Sequence, residues 1–87
     1  MKIKAGFVLR KVGEKVLVVP IGDRTKTFNG MIILNDMAKF FWDNLQENIE
    51  LDDLVKIVCD NFEVSEEVAK ADLIEFTEKL EKAGILE

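Results

Sequence analysis

Phe28-Asn29-Gly30-Met31-Ile32-Ile33-Leu34-Asn35-Asp36 is the stretch on which the fold turns. Asn29-Gly30 is a strong turn signal, because both residue types accept the backbone angles of tight turns. The apolar run Met31–Leu34 then stops abruptly at Asn35, which is the length of a short strand rather than of a helix. Asn35 is a favoured N-cap, and the carboxylate of Asp36 suits the first turn, where the helix dipole is positive. The chain therefore leaves a strand and enters a helix at Asn35. Residues before this point follow a two-residue period, and residues after it follow the helical period.

Upstream, Phe7–Val12 is β-prone and alternates, with Phe7, Leu9 and Lys11 on one face and Val8, Arg10 and Val12 on the other. Gly13-Glu14 reads as a type II′ hairpin turn leading into Lys15-Val16-Leu17-Val18-Val19-Pro20. Pro20 has no N–H to give to a ladder, so it marks a strand end or an edge. Gly22-Asp23-Arg24 reads as a turn, and Thr25–Phe28 is expected as a further short strand. In the strand Met31–Leu34, Ile32 and Leu34 share one face while Met31 and Ile33 share the other. A sheet packed on helices from one side needs only one apolar face. The second implies a cover: a guest peptide, a helix, or burial of the strand on both sides.

Downstream the pattern predicts three helices. The first runs to about Gln46 with the stripe Met37, Ala38, Phe40, Phe41 and Leu45, and Trp42 lies beside it. The second runs from about Leu51 to Phe62 through Leu54, Val55, Val58 and Cys59, with Asp52 and Asp53 in its first turn. The third is capped by Ser65, carries Ala69, Leu73, Phe76, Leu80 and Ala83 on one stripe, and is closed by Gly84. Ile85 and Leu86 are expected to fold back onto the core. Strands segregated from helices define an α+β, winged-helix-like domain over residues 1–87. Its small antiparallel sheet of about three strands packs on a three-helix bundle.

The residue inventory narrows the chemistry. There are no histidines, no tyrosines and one cysteine among 87 residues. A structural zinc site lacks its ligands, and no acidic spacing matches a calcium loop, so no metal or cofactor is expected. The five glycines are isolated, so no phosphate loop is present. Cys59 falls on a core stripe and has no histidine to act as its base, which argues for packing rather than catalysis. No catalytic residue is assigned. No apolar run spans a bilayer and no signal peptide opens the chain, so no membrane partner is expected and the cytoplasm is the default location.

Charge separates two binding readings. Residues 1–30 carry seven cations against two acids, whereas residues 31–87 carry five lysines against fifteen acids. The third helix has three lysines against six acids. A winged-helix regulator needs cations on the helix that meets the phosphates, so DNA binding fails on sign. The other reading is peptide capture by strand addition, with Met31, Ile32, Ile33 and Leu34 as the receiving strand. On the third helix, Asp72 and Lys79 with Phe76 between them are placed to line a groove against that strand. A structural module that dimerises through an apolar face is a third possibility, and the oligomeric state is left open.

The order of elements, the segment Phe28–Asn35, the run Phe40-Phe41-Trp42 followed by Leu45, and the closing Leu80-Glu81-Lys82-Ala83-Gly84-Ile85-Leu86 resemble the PqqD-like family. This is the family of coenzyme PQQ (pyrroloquinoline quinone) synthesis protein D, whose domain is also called the RiPP recognition element. The resemblance covers nearly the whole chain. It implies three strands and three helices, with the leader of a ribosomally made precursor peptide added along the third strand in a groove shared with the third helix. It also implies delivery of that peptide to a modifying enzyme, often of the radical S-adenosylmethionine type. Carried onto this chain, the strand is Met31–Leu34 and the helix Ser65–Ala83, with a discrete adaptor expected rather than a domain fused to its enzyme.

Overall fold

The computed structural model describes residues 1–27 and 32–87. Strands β1 (Phe7–Val12) and β2 (Lys15–Pro20) form the expected antiparallel hairpin, with Leu9 opposite Val18 and Arg10 opposite Leu17. Gly13 has φ 63° and no non-glycine residue described has a positive φ, so Glu14 keeps ordinary backbone angles. A positive φ at the first central residue alone is the signature of a type II′ turn. Strand β3 (Ile32–Leu34) pairs antiparallel with β2 and sets Ile33 opposite Leu17. The sheet order is β1-β2-β3, so β1 and β3 are the two edges.

Between β2 and β3 the expectation of a strand over Thr25–Phe28 fails. Residues Arg24–Thr27 form a single helical turn, α1, and Phe28 lies outside the described residues, as do Asn29, Gly30 and Met31. The cause is local. The turn at Gly22-Asp23 leaves carbonyls that collect the following N–H groups: Arg24 N donates to Ile21 O at 3.2 Å and Thr25 N to Gly22 O at 3.2 Å. The Thr25 hydroxyl adds a bond to Gly22 O at 2.8 Å. Arg24 fastens the turn to the sheet, because its Nε donates to Ala5 O at 3.1 Å and its guanidinium sits 5.7 Å from the centre of the Phe7 ring. Side-chain bonding of this kind outweighs the weak β preference of two threonines.

The three longer helices are α2 (Asp36–Asn44), α3 (Leu51–Asn61) and α4 (Glu66–Lys82). Both expected N-caps are made: Asn35 Oδ1 accepts from Ala38 N at 2.8 Å and Ser65 Oγ from Val68 N at 3.2 Å. α2 stops before Gln46, with the Leu45 N–H bonding back to Phe41 O and Trp42 O. Gly84 follows the last turn of α4 and donates to Glu81 O at 3.0 Å.

The stripes meet in one core. Leu45, Leu54, Val58, Ala69, Leu73 and Leu80 are wholly enclosed, under the inner face of the sheet formed by Val18, Ile32 and Leu34. Trp42, beside the stripe of α2, is also part of this core. Thr77 is also buried, and its hydroxyl is satisfied within the helix by Ile74 O at 3.1 Å. Cys59 is half-buried against the cluster. Ile85 returns to the core as expected, and this return has a partner unforeseen from sequence: Ile3 bridges Leu86, while Lys4 N donates to Ile85 O at 2.8 Å. Among the described residues no helix is long and apolar enough to cross a membrane.

Gly6 links this terminal bridge to the hairpin. It has φ 98°, and a methyl group there would run into the stem of Arg24. Gly6→Ala should therefore cost more than 1 kcal/mol or so, lowering the thermal midpoint by roughly 4–8 °C per kcal/mol. Gly13→Ala, at positive φ but with open space around it, should lose less. Paired melting curves check this order.

Candidate functional site

Alternation along β3 divides its three side chains. Ile32 and Leu34 point into the core at 8% and 4% exposure, whereas Ile33 is 52% exposed. The strand is therefore not buried on both sides; its second apolar face is open. Its outer edge has no strand partner among the described residues. Natural edges are usually guarded by charge. The β1 edge follows that rule with exposed Arg10 and Lys11, while Ile32, Ile33 and Leu34 carry no charge at all.

Beside this edge lies a groove of about 270 Å³ bounded by β3, the start of α2 and one face of α4. The Asn35 cap fixes where α2 begins and so brings Met37 and Ala38 to the groove. Phe41 and Phe76 form its floor, with ring centroids 5.7 Å apart and planes tilted by 58°. Phe76 is only 9% exposed, so it is floor and core at once.

The α4 wall carries Asp72, Glu75, Phe76 and Lys79. Spacings of three and four residues place all four on one helix face. Among the described residues, ion pairs join Lys39 to Asp43 at 3.0 Å and Lys70 to Asp52 at 3.7 Å. None joins Asp72, Glu75 or Lys79 to an opposite charge. Three charged side chains thus line the groove with no ion-pair partner among the described residues.

Of the residues singled out from sequence, Ile32, Ile33, Asp72, Phe76 and Lys79 meet in this groove. Leu34 does not line it and lies buried in the core. Met31 lies outside the described residues. Glu75, Ala38, Phe41 and Asn35 were not foreseen as groove residues. Glu75 was findable, being three residues after Asp72 and four before Lys79. A second, wider cleft of about 490 Å³ is edged by Lys2, Lys4 and Arg24. Arg24 is engaged there in holding α1 to the sheet, which marks the cleft as structural.

Fold and groove together define a class: a small α+β domain with an open strand edge beside a helical wall. The family described as Coenzyme PQQ synthesis protein D (PqqD) matches residues 14–86, and the chain belongs to that family. The solved structure of TbiB1 in complex with the TbiA(β) leader peptide is similar, with a TM-score of 0.75 at 21% identity. The match covers 100% of this chain and 95% of that one, and it establishes a shared fold. No curated protein sequence matches the chain.

The two neighbours on β3 give a direct contrast. Ile33→Asp places a carboxylate in solvent and should leave stability within about 1 kcal/mol of the wild type. Ile32→Asp buries an unpaired charge and should cost at least about 3 kcal/mol, enough to unfold much of the population. Urea titration of the two variants measures both.

Proposed function

We propose that this protein is a non-catalytic adaptor that captures the leader of a ribosomally made precursor peptide by strand addition. The leader pairs its backbone with the free edge of β3 and is presented to a modifying enzyme, of the radical S-adenosylmethionine type. The observation that carries this reading is an uncharged strand edge that has no strand partner among the described residues and lies against a groove with an aromatic floor. Membership of the PqqD family supports it. So does the fold shared with TbiB1, a protein seen in complex with a leader peptide.

The energetics assign the work. A strand of three residues offers roughly two outward backbone bonds, each worth about 0.5–1.5 kcal/mol net. Micromolar affinity requires about 8 kcal/mol. The groove must supply most of the difference, through apolar side chains of the guest seated against Ile33 and Phe76 and an acidic residue of the guest paired with Lys79. Affinity then tracks the side-chain pockets, and backbone pairing sets the register. A phosphate backbone finds no such match, since α4 carries three lysines against six acids.

Isothermal titration with the leader segment of a ribosomally made precursor peptide from the same organism tests the proposal. Saturable binding is expected, weakened about tenfold or more by Ile33→Asp while the circular dichroism spectrum stays that of the folded protein. An absence of binding, or binding indifferent to Ile33→Asp, would sink it.

A further inference from the structure

The groove wall carries more information than an apolar slot requires. Asp72 and Lys79 stand at opposite ends of the wall, with Glu75 and Phe76 between them, all on one helix face. None of the three charges has an ion-pair partner among the described residues. This includes Glu75 and Lys79, although an acid four residues before a lysine is the favoured spacing for a pair within a helix. The wall therefore presents a fixed sequence of carboxylate, carboxylate, aromatic ring and ammonium to whatever lies along it.

We infer that the groove selects a dipolar extended peptide, one with a lysine or arginine, then an apolar residue, then an acid on the side facing α4. The inference rests on the peptide-capture reading and specifies its guest. The spacing follows from geometry. Along the helix axis, Asp72 to Phe76 is about 6 Å and Phe76 to Lys79 about 4.5 Å. In an extended guest, side chains on one face recur every two residues, or about 6.8 Å. The matching pattern is cation-x-apolar-x-acid, and the long stems of lysine and arginine absorb the remaining mismatch. The guest's cation meets Asp72 and Glu75, its apolar residue rests on Phe76, and its acid meets Lys79. Two carboxylates against one ammonium make the cation the more strongly selected end.

The occupant follows from charge complementarity. A second copy joined through its own β3 is a poor match, because Ile32–Leu34 has no charge to offer; one joined through its β1 edge, with exposed Arg10 and Lys11, is the dimer outcome of the test. The wall also fixes direction. A guest entering the other way round sets like charges against both ends of the wall, and partner discrimination of this kind is characteristic of interfacial charge.

Selection from a displayed library of random peptides against the full chain tests this without knowing the natural precursor. Peptides with the cation-x-apolar-x-acid pattern should be enriched about threefold to fivefold for each charged position. The exchange variant Asp72→Lys/Lys79→Asp should reverse the order of the selected charges, and both changes fall on exposed positions. Peptides enriched with no charge preference, or with an order unmoved by the exchange, would overturn the dipolar guest and leave peptide capture standing. No enrichment at all would overturn both, as would sedimentation as a dimer whose groove excludes peptide.

Discussion

Strand β3 is held on one face and along one edge, and the rest of the molecule follows from how that is done. Its inward residues Ile32 and Leu34 are anchored in the core, and one edge is paired to β2 through Val16, Leu17 and Val18. The remaining edge, with exposed Ile33 above it, has no strand partner among the described residues. A strand this short has little cohesion of its own. It stays extended because two buried side chains and one ladder fix it, and those same constraints leave its free backbone groups at a constant place and angle. A site for strand addition needs this preorganisation, since ordering a mobile segment on binding would consume much of the available free energy.

The helices contribute by position rather than by chemistry. The Asn35 cap starts α2 directly after β3, which puts Met37 and Ala38 at the groove and Phe41 beneath it. α4 buries Leu73 and Leu80 completely and is thereby locked in rotation about its axis. That rotation turns Asp72, Glu75 and Lys79 toward the groove. Phe76, packed on Phe41, belongs to both the core and the floor. Stability and the candidate site therefore share residues, and only at exposed positions such as Ile33, Asp72 and Lys79 can one be changed without the other.

What could be read from sequence depended on how local the cause was. The hairpin, the N-caps at Asn35 and Ser65 and the buried stripe of α4 arise from neighbours within a few residues, and each lies where the pattern put it. The groove was partly legible for the same reason, since Asp72, Phe76 and Lys79 share a helix face whatever that helix packs against. The helical turn Arg24–Thr27 was misread because Arg24 reaches Ala5 and Phe7, a contact that no pattern within residues 22–28 records. The bridge between Ile3 and Leu86 joins the two ends of the chain and leaves no periodic trace. Which face of β3 stays open was undecidable from the run Met31–Leu34, because its residues are equally apolar on both faces. Only the packing of Ile32 and Leu34 distinguishes them.

The central claim is that a guest peptide becomes the next strand beyond β3. Amide hydrogen exchange followed by NMR, with and without the precursor peptide, tests it at the atoms concerned. The outward-facing amides of Ile32–Leu34 should exchange more slowly once peptide is bound, while those of the β1 edge stay unchanged. A peptide that binds and leaves every β3 amide exchanging as in the free protein would contradict the account.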